Sequence, residues 1–160
     1  MSLVVSDTTP LNYLILIGHV EVLPRLFGTL LVPPAVIQEM HHPKTPPEVA
    51  AWARHLPSWL EVKAPHTDLH VGIGAGEDEA ISLAVELGNA TVLMDDKKAR
   101  AAAEKHGLLT IGTLAILDLA DEAGLVDFET ALQGLQATNF YVETSIAETL
   151  SKRSRSRKSS

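Results

Sequence analysis

Short apolar runs alternate with longer segments of helical periodicity along most of this chain, and no feature constrains its fold more. Leu3-Val4-Val5-Ser6, Thr29 to Val32, Ala90-Thr91-Val92-Leu93-Met94 and Leu108 to Ile111 are each too short for a stable helix. They read as buried strands, and Trp59 to Lys63 reads as a short edge strand. Between them, Thr9-Pro10 suits an N-cap and first helical position for the run Leu11 to Ile17, which Gly18 stops. Residues 20–27 resume a helical pattern. Short helices follow through Val36, Ile37, Glu39 and Met40 and over 48–55. Glu77 to Leu87 is amphipathic, with Ile81, Ala84, Val85 and Leu87 on one stripe. A helix over 97–106 precedes the last strand, and helices near 113–123 and 128–136 pack over the end of the sheet. Strand and helix in alternation imply an α/β fold built from βαβ units around a parallel sheet.

At 160 residues the chain suits one domain, expected over residues 1–150. It contains no cysteine, which excludes disulfides and thiolate metal sites. No apolar run approaches the roughly 20 residues of a membrane helix, and no charged leader precedes the first strand. The expectation is a soluble, cytoplasmic protein with no membrane association. Net charge is −7, yet Ser151 to Ser160 carry Lys152, Arg153, Arg155, Arg157 and Lys158 and no acid. Without those five cations the preceding residues carry about −12. Such a body does not draw nucleic acid by its long-range field, so a polyanion would need bound cations, a local basic patch or the tail. Ser, Arg and Lys alone offer nothing to bury, so residues 151–160 read as a disordered basic tail.

The acids are placed more tellingly than they are counted. Asp7 closes the first strand, Asp95 and Asp96 close the strand that begins at Ala90, and Glu39 and Glu79 lie on helices near the sheet. In an open parallel sheet, ligands bind in the crevice at the carboxyl ends of the strands. Acids gathered there without matching bases repel one another unless a hard cation lies between them, and oxygen ligands suit Mg²⁺ or Mn²⁺. Each acid alone has a plain structural reading: Asp7 as a helix cap, Glu39 as a solvated helix residue, Glu77 to Glu79 as the acid-rich first turn that a helix dipole favours. Neighbours on a helix diverge by about 100°, so Glu77, Asp78 and Glu79 cannot all face one point. Spacing does not choose between Glu77 and Glu79. Nor does it choose between Asp95 and Asp96, since Asp96 also suits an N-cap.

The stretches Val4-Val5-Ser6-Asp7-Thr8-Thr9-Pro10-Leu11, Val36-Ile37-Gln38-Glu39, Gly76-Glu77-Asp78-Glu79-Ala80-Ile81 and Leu93-Met94-Asp95-Asp96 resemble the motifs of PIN domains. The match is to the VapC-like branch with a Gly-Glu-x-Glu-Ala-Ile segment, and Ile111-Gly112-Thr113-Leu114-Ala115-Ile116-Leu117 resembles it too. The resemblance implies a three-layer α/β/α fold with a central, mostly parallel sheet of four to five strands. It also implies a metal-dependent ribonuclease, the toxin of a type II toxin–antitoxin pair, acting as a homodimer with a cognate antitoxin. Carried over by motif, Asp7, Glu39, Glu79 and Asp95 are the catalytic acids and, with Asp96, the ligands of Mg²⁺ or Mn²⁺; Thr8 and Glu77 support them. The chemistry expected is metal-assisted hydrolysis of an RNA phosphodiester. Lys97, Lys98 and Arg100 follow the acid pair in a helix's first turn, against its dipole, which suits phosphate contact as well as a solvated basic face.

Other motifs carry less. Gly72-Ile73-Gly74-Ala75-Gly76 lacks the spacing of a dinucleotide fingerprint and the Lys-Ser or Lys-Thr of a P-loop, and reads as a flexible loop. His41 and His42 adjoin Pro43 and lack a spaced partner for zinc. Trp52 and Trp59 suit a core or an interface better than base stacking. A phosphotransferase of the haloacid dehalogenase type needs a second Asp two residues after the first, where this chain has Thr9, and a receiver domain wants its acid pair on the first strand. The alternative from another class is a non-catalytic PIN-like module that binds RNA or protein.

Overall fold

The computed structural model describes residues 3–88 and 90–159. Among them, five strands form one sheet: β1 (Val4–Ser6), β2 (Leu30–Val32), β3 (Leu60–Val62), β4 (Thr91–Leu93) and β5 (Thr110–Ile111). The order is β3-β2-β1-β4-β5 and every pairing is parallel, with Val5 beside Leu31, Ser6 beside Leu93, Val32 beside Val62, and Leu93 beside Ile111. The helices are α1 (Thr8–Leu16), α2 (Val22–Phe27), α3 (Pro34–Met40), α4 (Pro47–Ala53), α5 (Ala75–Glu86), α6 (Lys97–Lys105), α7 (Thr113–Glu122), α8 (Phe128–Gln136) and α9 (Thr144–Lys158).

The strands are continuously apolar because both faces of the sheet are covered. Val4, Leu30, Val32, Leu60 and Leu93 point into one core, where they meet Leu11 and Leu14 of α1, Leu117 of α7 and Phe128 of α8. Val5, Leu31 and Val92 point the other way, onto Ile81, Leu83 and Ala84 of α5 and Ala99 and Ala103 of α6. Successive residues thus feed opposite layers, as the two-residue period of a strand requires. The result is a three-layer α/β/α arrangement. None of the helices among the described residues is long and apolar enough to cross a membrane.

The strand order also fixes where a site can form. The chain runs outward from β1 to β2 and β3, then crosses back to lay β4 on the other side of β1. The switch point therefore lies between the carboxyl ends of β1 and β4, flanked by Asp7 and Asp95. Asp7 continues the ladder by donating its backbone N–H to the Leu93 carbonyl at 2.9 Å.

Two segments differ from the sequence expectation. Residues 151–158 belong to the 15-residue helix α9 instead of a disordered tail. Its buried side chains are small or few: Ala147, Leu150, Ser151 and Ser154. Charge supplies what apolar surface does not. Arg157 bonds Asp118 at 2.7 Å and Asp121 at 2.8 Å on α7, Arg153 reaches Asp118 at 3.4 Å, and Ser154 donates to Asp121 at 2.7 Å. Arg155 pairs with Glu129 of α8, and Lys158 with Asp127. The glycine-rich stretch before α5, read as a flexible loop, is also tied down. The Gly72 and Ile73 N–H groups donate to Asp78, and Val71 and Ile73 pack against the second core.

Candidate active site

Asp7 occupies the N-cap position of α1 with extended backbone (φ −80°, ψ 174°), but its side chain does not cap the helix in the usual way. The residue is 4% exposed. Burial pushes its carboxyl up to about 7; the Thr8 backbone N–H works against this, while the charges of Glu77, Glu39 and Asp95 add to it. An acid held near neutrality by burial, with other acids adding to the effect, is a stressed arrangement, and such groups cluster at functional sites.

Glu39 reaches this region from α3, held by both oxygens. The Thr8 hydroxyl donates to Oε2 at 2.6 Å and the Gly76 N–H donates to Oε1 at 3.0 Å. Gly76 lies in the first turn of α5, so Glu39 satisfies one of that helix's unpaired amides. A Cβ at Gly76 would lie 2.5 Å from Glu39 Oε1, so a larger residue there would displace the Glu39 carboxylate.

On α5 the acids diverge. Burial raises the carboxyl of Glu77, and Asp96, Glu39 and Asp78 raise it further. Glu79 turns elsewhere: its Oε1 accepts the Ala35 N–H of α3 at 3.1 Å. Helices α3 and α5 thus cap each other, Glu39 serving the start of α5 and Glu79 the start of α3. Glu77 is among the charges that act on Asp7.

Asp95 follows β4 and is gripped by Thr113 at the head of α7, whose N–H and hydroxyl donate to Oδ1 and Oδ2, each at 2.7 Å. Burial raises its carboxyl, while the Thr113 bonds and the charge of Arg100 oppose the rise. A Cβ at Gly112 would lie 3.0 Å from Asp95 Oδ1. Asp96 is exposed and caps α6 through the Ala99 N–H at 2.9 Å. Of the basic trio on α6, Arg100 turns inward to the Thr110 hydroxyl at 3.0 Å, Lys97 approaches Glu143 at 3.9 Å, and Lys98 points into a shallow depression with Val71, Ile73 and Lys105. Trp52 and Trp59 pack on one another, ring centres 5.9 Å apart, against the first core.

The structure thus sets Glu39, Glu77 and Asp95 within electrostatic reach of Asp7, sets Asp96 within reach of Glu77, and commits Glu79 to a helix terminus. Sequence reasoning passed over Gly76 and Thr113 as site residues. Their signal was available, since each stands in the first turn of a helix, Gly76 directly before the acids of α5 and Thr113 just after the last strand. Among the described residues, no three acidic or imidazole side chains form a ready three-ligand metal cage. The donors present nevertheless suit a hard cation. They are all oxygens, and Mg²⁺ usually keeps several waters and takes only one or two carboxylates.

No curated protein and no solved structure matches this chain significantly. A family model described as a PIN domain (DUF3368) matches residues 3–156, from the first strand into α9. The match takes in the sheet, the switch point and every acid described above. With its parallel β3-β2-β1-β4-β5 sheet flanked by helices, the chain belongs to the PIN-domain family, whose members are generally nucleases that use divalent metals.

Proposed function

We propose that the protein is a metal-dependent endoribonuclease of the VapC-like kind, the toxin of a type II toxin–antitoxin pair. The observation that carries this reading is Asp7, a carboxyl buried at the switch point and pushed to about 7 amid other acids. A carboxylate so placed is stabilised once a divalent cation replaces its proton.

Asp7, Glu39 and Asp95 are the acids assigned to Mg²⁺ or Mn²⁺, with Asp96 at the rim. On α5, Glu77 is the acid assigned in preference to Glu79, because Glu79 is taken up by the Ala35 N–H while the charge of Glu77 acts on Asp7. A bound cation supplies an activated water and neutralises charge on the phosphoryl group. The chain's own residues do the positioning. Thr8 and Gly76 fix the two oxygens of Glu39, and Thr113 fixes those of Asp95. These fixed bonds hold the carboxylates in place before substrate arrives, so little reorganisation remains for the reacting complex. Asp7 must lose its proton for the site to load. Lys98 is exposed on α6, in the turn after Asp96, and suits a backbone phosphate. The antitoxin and a second copy of this chain are the protein partners this reading implies.

The test is cleavage of a mixed tRNA, rRNA and mRNA pool by wild type and Asp7→Asn, with Mn²⁺ or Mg²⁺ against EDTA. Cleavage that requires both metal and Asp7 is expected. A folded, metal-loaded protein that leaves the pool intact would favour the non-catalytic PIN-like module.

A further inference from the structure

The segment joining α8 to α9 is braced at its start and comes within reach of α6 at its end. At its start the Thr138 hydroxyl donates to the Leu135 carbonyl at 2.6 Å and accepts the Phe140 N–H at 3.1 Å. Tyr13 of α1 donates its hydroxyl to Asn139 Oδ1 at 2.6 Å, and its ring meets Phe140 edge-on with centres 4.9 Å apart. At its end Glu143 approaches Lys97, the residue after Asp96, at 3.9 Å. Tyr13 in turn feels the site: burial raises its hydroxyl, and the charge of Asp95 raises it further.

Within this braced segment Phe140 and Val142 turn inward and pack on the first core. The residue between them is forced outward. Tyr141 is 80% exposed, the most exposed of the large apolar side chains among the described residues. A backbone held by Phe140, Val142 and the Tyr13 contacts keeps an aromatic ring in solvent, on a segment whose end lies 3.9 Å from Lys97, the residue after Asp96.

We propose that Tyr141 is a stacking platform for an unpaired base of single-stranded RNA whose backbone runs over the acids. The proposal rests on the ribonuclease reading and deepens it by naming a residue that would hold the substrate. An aromatic face accepts any base, so the platform orients the strand without reading its sequence. Duplex RNA keeps its bases stacked on one another and offers none to the ring. Because Phe140, Val142 and the Tyr13 contacts already fix the backbone, stacking loses little conformational freedom. Lys97, 3.9 Å from Glu143, stands at the end of the same segment, where a phosphate can exchange for the glutamate.

The experiment measures binding and cleavage separately. Binding of a labelled single-stranded oligoribonucleotide, taken from the fragments that wild type cleaves, is followed by anisotropy in the inactive Asp7→Asn background. Tyr141→Ala is expected to weaken binding about five- to hundredfold, and Tyr141→Trp to preserve it. Melting temperature should not move, since the side chain supports no packing. Placing an abasic nucleotide opposite the platform should weaken wild-type binding and leave the Ala variant unchanged. If Tyr141→Ala binds and cleaves like wild type, the platform is overturned while the ribonuclease stands. If the Ala variant instead changes the oligomeric state with RNA affinity intact, the ring is a protein contact and the platform is again overturned. Wild type that neither binds nor cleaves RNA would overturn the ribonuclease reading, and the platform with it.

Discussion

Asp7 shows at the scale of one residue how a site is held at the expense of the fold. Its carboxyl titrates near 3.8 in an open chain and at about 7 in the folded protein, chiefly because it is buried. Between those values the folded state holds a proton that the unfolded state has released, so stability falls as pH rises through the window. A shift of this size corresponds to at most about 4 kcal/mol of destabilisation above pH 7. Asp7→Asn removes the charge and keeps the shape. In EDTA at pH 8 the variant should therefore melt several degrees above wild type, and it should lose the stabilisation that Mn²⁺ confers on wild type. Paired thermal melts with and without Mn²⁺ check both halves. A variant that melts lower in EDTA would mean that Asp7 is a structural carboxylate and not a strained one.

At the scale of elements, the pairing of α3 with α5 separates two acids that look alike in sequence. Glu79 serves the first turn of α3 through the Ala35 N–H, whereas Glu77 faces the acids across the cleft. Glu79→Ala should cost about 0.5–2 kcal/mol of stability, the range for losing a cap, and leave metal-dependent cleavage near wild type at temperatures where it stays folded. Glu77→Gln should do the reverse, lowering cleavage at least tenfold with stability unchanged or raised. Denaturant melts and single-turnover rates on the two variants decide the assignment; matching losses of activity would return Glu79 to the site. Much at this scale was legible. The strands announced themselves because both faces are buried, and Asp7 and Asp95 followed from the strand ends. The choice on α5 was not, because a 100° step along a helix leaves two acids equivalent until the neighbouring helix is placed. Helix α9 escaped for another reason. Its partners are the acids of α7 and α8, and a rule that asks only for apolar surface does not see a helix docked by charge.

That docking operates across the whole molecule, since the cations of α9 answer part of the acidic body's charge. Asp118 and Asp121 are nearly buried against Arg157, with side-chain exposures of 8% and 4%. Arg157→Ala leaves both acids short of a partner. It should cost about 1–3 kcal/mol, between the values for exposed and buried pairs, and the difference should shrink in molar salt. Burial alone would raise Asp121, but the Phe128 N–H, the Ser154 hydroxyl and Arg157 outweigh it and hold the carboxyl below the usual range. The stability it contributes is present above its ordinary value and drains away as pH falls below it. The switch-point acids work in the opposite sense, because Asp7, Glu77 and Asp95 are all raised and weaken the fold as pH climbs. Without metal the two trends place the stability maximum in mildly acidic solution, near pH 4–5, with a decline towards pH 8. A divalent cation binds the ionised acids and adds stability by mass action, most strongly where they have lost their protons. Melts across pH 4–9 in EDTA and in Mn²⁺ should therefore diverge progressively above pH 5, with the Mn²⁺ maximum displaced towards neutrality. A metal-free profile that is flat or rising between pH 5 and 8 would show that the acids are not strained in the resting fold.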